Sequence, residues 1–358
     1  VTPAALPRPA PRVGRLPRGP RDAITDVPGV TVGHCTLAEG DVQTGVTVVR
    51  PHGGDPYRDR VPAASVVLNG FGKSVGLMQV EELGVLETPI ALTNTYAVPA
   101  VAAAQIRAAI ADNPEIGRAL PTLNPLVFEC NDGYLNDLQR MAVEASHYHD
   151  ALDAAGAAVV EGSVGAGRGM SSFGLKGGIG TASRRVRTRA QGRFTLGSLV
   201  LSNFGKLSQI RVCGAPLAAQ LRVAGGELKS MAAPPEKGSI IMILATDAPL
   251  DARQLRRLAL RAGAGLARTG SVFGHGSGDI ALAFSTAYTV PQDPARPMPA
   301  PALLHDAALD PLFEAAADGI EQAIIHALWR AEAVTGRDGH RREALTDLLP
   351  GWAGILGA

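Results

Sequence analysis

Cysteine is scarce in this 358-residue chain. The three present, Cys35, Cys130 and Cys213, are odd in number and form no Cys-x-x-Cys pair. That pattern excludes a disulfide framework and a cysteine zinc site, and it fits a reducing compartment. Long apolar runs are also missing: no segment reaches the roughly 18 consecutive apolar residues of a membrane helix. The opening segment VTPAALPRPAPRVGRLPRGPRDAI carries proline and arginine but not the continuous apolar stretch of a secretory signal. Excess charge of either sign is absent as well, with 34 Lys plus Arg against 33 Asp plus Glu. No global field therefore favours nucleic acid, an anionic membrane or an acidic partner. The expectation is a cytoplasmic protein that binds neither nucleic acid nor membrane.

What is present is apolar bulk. With 46% hydrophobic and 19% charged residues in 37.0 kDa, the chain has enough material for one large core. Short β-branched runs recur between glycine and proline: Val30 to Val32, Val46 to Val49, Ala64 to Leu68, Ile90 to Thr93, Ala157 to Val160, Leu199 to Ser202 and Ser239 to Thr246. Several are apolar on both faces, as strands covered on both sides must be. Helical spacing appears over Ser74 to Glu82, Ala100 to Ala111, Asp137 to Ala155 and Leu250 to Arg268. A long helix starts near Pro311, with a stripe from Phe313 through Ile320 and Ile324 to Ala331. This irregular alternation predicts two sheets sandwiched by helices in a single domain over residues 21–358, preceded by a flexible or surface-wrapping arm over 1–20. Ala232 to Lys237 and Pro291 to Pro301 read as linkers or surface loops.

Several motifs are decoys. Gly72-Lys73-Ser74 ends like a phosphate-binding loop, but Val67 stands where that motif needs its first glycine. The glycine-rich tract Gly165 to Gly180 opens no helix, so it is not a dinucleotide fingerprint. It reads either as close backbone packing or as a loop lining a site. His147 and His149 are two residues apart on a predicted helix and point to different faces. His275 stands alone in its loop without a visible triad.

One stretch carries chemistry: PPEKGSIIMILATDAPL, Pro234 to Leu250. A serine hydroxyl is a poor nucleophile at neutral pH without a base. Cleavage between Gly238 and Ser239 would give Ser239 an α-amine, with a pKa near about 8, to serve as that base. A glycine before the scissile bond hinders attack on its carbonyl least, and the apolar strand behind would hold the new N-terminus. Taken alone, a Gly-Ser pair is better explained by turn chemistry at the start of a strand.

Four separated motifs decide how that pair is read. The stretch above, Gly274-His-Gly-Ser-Gly-Asp-Ile-Ala-Leu-Ala-Phe-Ser-Thr286, Gly167-Arg-Gly-Met-Ser-Ser-Phe-Gly-Leu-Lys-Gly-Gly-Ile-Gly-Thr-Ala-Ser183 and Arg21-Asp-Ala-Ile-Thr-Asp-Val-Pro-Gly-Val-Thr-Val-Gly-His34 resemble the DmpA family in matching order. That family comprises self-cleaving L-aminopeptidase/D-amino-acid esterases and β-aminopeptidases. The resemblance implies a four-layer αββα sandwich of the N-terminal-nucleophile type, shared with ornithine acetyltransferases. It also implies self-cleavage at 238/239 into an α chain (1–238) and a β chain (239–358), and assembly of αβ units into a homo-oligomer, a tetramer by resemblance.

On the residues, the resemblance makes Ser239 the nucleophile, with Ser277 and Asp279 supporting its amine and hydroxyl. An ammonium beside a carboxylate gains a charge partner, and a second hydroxyl can orient the proton. Asn203 matches the asparagine whose amide donates to the oxyanion, and such a donor is worth roughly 3 to 4 kcal/mol of barrier. Tyr134 matches an oxyanion-side tyrosine. Lys176 aligns with a lysine placed beside the nucleophile in some relatives, and reads equally as a solvated loop lysine. Glu129, then Asp132, is the carboxylate expected to receive the free amine of a substrate. Cys130 lacks any visible base and orienter, so it reads as packing.

The reading is a self-processing serine aminopeptidase or amidase acting on short peptides, amino-acid amides or esters, with no cofactor. The rivals are an acyltransferase of the ornithine acetyltransferase type, whose nucleophile is threonine, and a non-enzymatic small-molecule binder on the same fold.

Overall fold

The computed structural model describes residues 9–188, 192–224 and 238–351. Two main sheets form the centre. In the first, β1 (Thr31–Glu39), β2 (Val42–Arg50), β4 (Ile90–Asn94) and β5 (Leu126–Cys130) lie in the order β1-β2-β4-β5. In the second, β3 (Asp59–Gly70), β9 (Gly278–Ser285), β8 (Ser239–Thr246), β7 (Gly192–Asn203) and β6 (Gly178–Thr188) run side by side, with short strands flanking β3. All neighbours in this second sheet are antiparallel except β8 and β9, which are parallel. Parallel neighbours need a crossover, supplied here by the helix α4 (Ala252–Arg268). The remaining principal helices are α1 (Leu77–Leu83), α2 (Val98–Asp112), α3 (Ala145–Asp153) and α5 (Asp310–Trp329).

Strand alternation explains the layers. Along β8, Ile241, Ile243 and Ala245 join Leu199, Leu201, Leu282 and Phe284 against Val32, Val49, Leu92 and Phe128 of the first sheet. Ile240, Met242 and Leu244 face the other way, into a core with Leu258, Ala262, Ile320 and Ile324 of α4 and α5. A third core packs α2 and α3 on the outer face of the first sheet through Val101, Ala104, Tyr148 and Ala151. The architecture is thus the expected αββα sandwich. Each fully buried Ile or Leu contributes roughly 1.5 to 3 kcal/mol, so β8, apolar on both faces, is anchored from both sides.

Other expectations need correction. The predicted helix over Asp137 to Ala155 is a 3₁₀ turn, Leu138–Arg140, and the separate α3, because Met141 takes a left-handed φ of 45° that no helix continues. Ala157 to Val160 forms no strand; only Gly156 bridges to Val32. The stripe on α5 ends at Trp329, short of Ala331, and this helix is buried nearly all round. Its acidic residues Asp318 and Glu321 are matched by Arg268 at 2.7 and 3.5 Å.

The glycine tract is a device for close packing. A Cβ on Gly180 would sit 1.9 Å from the Ala323 carbonyl oxygen, so the backbones of β6 and α5 touch directly there. At the other end of the chain, Val13 N–H donates to Gln322 Oε1 at 2.8 Å and Gly19 N–H to Ser183 Oγ at 3.0 Å. The part of the arm from residue 9 onward is thereby laid across α5 and β6. Ala232 to Lys237 lie outside the described residues.

Candidate active site

Three strand ends meet at one end of the second sheet. Ser239 is the first residue of β8, Asn203 the last of β7 and Gly278 the first of β9, and each of the latter two stands opposite Ser239 in its ladder. Ser239 is buried, and its Oγ accepts a hydrogen bond from the Gly278 N–H at 3.1 Å. Gly278 has no space for a side chain: a Cβ would lie 2.6 Å from the Phe71 carbonyl oxygen and 3.2 Å from Ser239 Oγ. A backbone donor is therefore aimed at a buried hydroxyl by the sheet itself.

Ser277 and Asp279 flank Gly278. Ser277 Oγ donates to Asp279 Oδ1 at 2.5 Å, while Asp279 Oδ2 is buried without a hydrogen-bond partner among the described residues. Burial pushes the Asp279 carboxyl up to about 6, with the Ser277 hydroxyl working in the opposite direction. Asn69 holds this turn in place, its Nδ2 donating to the carbonyls of Ser277 and of Gly274 (3.0 Å for the latter).

Asn203 is fully buried. Its Oδ1 accepts from Ser171 N–H at 2.8 Å, and its Nδ2 donates to the Asn131 carbonyl at 2.9 Å. These contacts fix which end of the amide faces the Asn131 loop. Tyr134, in the same loop, stacks on His340 with ring centroids 4.6 Å apart and carries the Arg342 guanidinium 3.5 Å from its ring centre.

Glu129 ends up buried at the C-terminal end of β5, with Oε1 accepting from Lys73 N–H at 2.8 Å and Oε2 from Thr95 Oγ at 2.5 Å. Asp132 is also buried, and its Oδ1 accepts from Asn136 Nδ2 at 3.0 Å. Cys130 is packing, its thiol pushed well up by burial first and by neighbouring carboxylates second.

Lys176 differs from its solvated-loop reading. It is fully buried and donates to the carbonyls of Gly167, Met170 and Gly177 at 2.8, 2.9 and 3.0 Å. An ammonium needs three acceptors when it leaves water, and the glycine tract folds around it to supply them.

Sequence reasoning missed some of the wall. Phe71 N–H donates to the Ser277 carbonyl at 3.3 Å, so the stretch from Phe71 to Lys73 links the strand ends at Ser239 to Glu129. In sequence it reads only as a failed phosphate loop, although the glycines Gly70 and Gly72 on either side of Phe71 were the available signal. Beside it, a cleft of about 320 Å³ is lined by Gly238, Ser277, Phe204, Lys206 and His275 among others.

Comparison with known proteins decides the class. The description of peptidase family S58 matches residues 22–342. The chain belongs to that family. It is 39% identical over 348 residues to beta-peptidyl aminopeptidase BapA of Sphingosinicella microcystinivorans, covering 91% of this chain and 86% of the relative. A Burkholderia sp. beta-aminopeptidase superposes with a TM-score of 0.83 at 41% identity, over 95% of this chain and 97% of that one. The L-aminopeptidase D-Ala-esterase/amidase of Ochrobactrum anthropi, a serine aminopeptidase with a variant Ntn hydrolase fold, superposes with a TM-score of 0.88 at 34% identity over 97% of each chain. The family member described here accordingly has the Ntn hydrolase fold and is a hydrolase of the serine aminopeptidase class. The acyltransferase and binding-protein readings are not favoured.

Proposed function

We propose that this hydrolase matures by cutting its own Gly238–Ser239 bond and then removes the N-terminal residue from short peptides, amino-acid amides or esters, β-peptides included. The observation that carries the proposal is the position of Ser239: a buried hydroxyl at the first residue of a central strand, held by the Gly278 N–H and flanked by Asn203. In the first reaction Ser239 Oγ attacks the Gly238 carbonyl, the peptide C–N bond breaks, and the acyl group passes to oxygen while the nitrogen becomes the α-amine. Water then hydrolyses the ester and frees Gly238 as a carboxylate. The cleft beside Gly238 and Ser277 gives water a place to stand.

In the second reaction the freed α-amine of Ser239 takes the hydroxyl proton as Oγ attacks the substrate carbonyl. Ser277 and Asp279 hold that amine, and Asp279 Oδ2, without a partner among the described residues, offers the resulting ammonium a charge partner. Asn203 Nδ2 and the Tyr134 hydroxyl receive the oxyanion, so Asn203 exchanges its present bond to the Asn131 carbonyl for one to substrate. The proton passes to the leaving amine, and water releases the acyl group by the reverse sequence. Glu129, already oriented by Lys73 and Thr95, receives the substrate's free ammonium and restricts action to chain ends. Lys176 serves by holding the Gly167 to Gly177 turn under Asn203, since Ser171 lies within it.

The β-peptide part of the proposal rests on relatives named for that activity. The family resemblance also supports assembly of the αβ units into tetramers. The charge balance and free cysteines support the reading of a cytoplasmic protein without nucleic-acid partners. No helix among the described residues is long and apolar enough to cross a membrane.

The decisive experiment is a denaturing gel and intact mass of freshly purified protein, with N-terminal sequencing of each band. Two fragments are expected, the second beginning Ser-Ile-Ile-Met, and Ser239→Ala is expected to remain one uncut, inactive chain. A Ser239→Ala protein that still cleaves at 238/239 would overturn the proposal.

A further inference from the structure

The contacts around Arg342 form a closed ring through both oxyanion donors. Arg342 is buried, and its guanidinium carbon lies 3.5 Å from the centre of the Tyr134 ring. Its Nε donates to Ser171 Oγ at 3.2 Å, and the Ser171 N–H donates in turn to Asn203 Oδ1 at 2.8 Å. Asn203 Nδ2 reaches the Asn131 carbonyl at 2.9 Å, three residues before Tyr134, which closes the circuit. His340, two residues from Arg342, stacks on the same tyrosine with planes 9° apart, and its Nδ1 donates to the Tyr134 carbonyl at 2.9 Å. A short C-terminal hairpin, Val334–Thr335 with Arg341–Arg342, presents both side chains.

Taking a guanidinium out of water is costly unless it is matched by acceptors and a π face, and this one meets the Tyr134 ring and the Ser171 hydroxyl, next to the two groups assigned to the oxyanion. Resting on the reading of Tyr134 and Asn203 above, we propose that Arg342 is a positioning residue for catalysis: it fixes the Tyr134 ring and, through Ser171, the Asn203 amide, and places a positive charge behind both donors. As negative charge develops on the substrate carbonyl oxygen, a fixed cation behind the donors stabilises the transition state more than the neutral ground state. Arg342 touches neither substrate nor reacting atoms, so its effect falls on kcat through its neighbours.

The test is steady-state hydrolysis of an amino-acid p-nitroanilide by full-length, self-processed protein, with rates expressed per 239–358 fragment. The variants are Arg342→Lys, Arg342→Gln, Tyr134→Phe and the Arg342→Lys/Tyr134→Phe double. Lysine keeps the charge but loses the flat stacking and the Nε donor geometry. Both single Arg342 variants are expected to lose on the order of 10-fold or more in kcat with KM changed less than about 3-fold, glutamine more than lysine. The double variant is expected to lose less than the product of the two single losses, because only the part of the lysine effect that runs through Ser171 and Asn203 survives without the phenol. Multiplying losses, a rise in KM alone or an unchanged kcat would overturn the inference while leaving the Ser239 mechanism standing. A fully active Tyr134→Phe would remove both the tyrosine's assigned role and this inference. If neither Arg342 variant cleaves itself, the residue belongs to the fold, and the positioning role is wrong.

Discussion

Ser277 Oγ donates to Asp279 Oδ1 at 2.5 Å, yet the other oxygen of the same carboxylate is buried with no hydrogen-bond partner among the described residues. In the proposed maturation, that oxygen is the one left for the α-amine that cleavage releases. The cost is visible in the Asp279 carboxyl, which burial pushes from 3.8 up to about 6. A raised folded-state value makes ionisation unfavourable, so this group's contribution to stability is full below about 3.8 and is lost as pH rises through about 6. In the uncleavable Ser239→Ala background, Asp279→Asn should therefore stabilise increasingly between pH 4 and pH 7, by a difference on the order of 3 kcal/mol. Denaturant midpoints of the two proteins across that range measure it. Stability curves that stay parallel would mean that Asp279 is not strained in the uncut chain.

Much of this was legible from sequence, and the reasons differ by element. β8 announced itself because both of its faces are buried, leaving an unbroken apolar run from Ile240 to Ala245. β6 and β9 did not, because glycine and small residues at Gly178, Gly180, Gly278 and Ala281 serve close packing and carry weak strand preference. The site residues Ser239, Ser277, Asp279 and Asn203 were reached through motif resemblance. Their convergence depends on the register Asn203–Ser239–Gly278 across three strands, which no local pattern specifies. Asn69, Thr95, Ser171 and Arg342 were invisible for the same reason: each acts through a partner far along the chain.

The glycine before the proposed nucleophile is required by packing, independently of the proposed chemistry. A Cβ on Gly238 would lie 2.6 Å from Phe204 Cα and 2.8 Å from the Asn203 carbonyl oxygen, closer than real contacts allow. Backbone on both sides cannot yield as a flexible side chain would. Gly238→Ala should therefore displace the scissile carbonyl from Ser239 Oγ and slow self-cleavage by on the order of 100-fold, the scale expected for an ångström of misplacement. A gel time course after expression reads the uncut fraction directly. Cleavage at the parental rate would show that the substitution is absorbed without moving the carbonyl.

Glu129 is the most exacting of the assignments, because both its oxygens already accept hydrogen bonds, from Lys73 N–H at 2.8 Å and Thr95 Oγ at 2.5 Å. Each carboxylate oxygen has a second lone pair, so the two bonds orient the group without exhausting it. Glu129→Gln keeps the shape, with its oxygen still accepting from Lys73 N–H and its amide able to donate to Thr95 Oγ, but it removes the charge that would meet an ammonium. A hydrogen bond to a charged group is worth about 1.5 to 3 kcal/mol, which converts to roughly 10- to 100-fold in kcat/KM. The same substitution should leave self-cleavage intact, since that reaction involves no free amine beyond the one it creates. The parent enzyme should ignore an N-acetylated substrate for the same reason that the variant loses the free one. If Asp132→Asn shows the loss and Glu129→Gln does not, the amine is received one turn further along the loop, at the carboxylate that Asn136 holds.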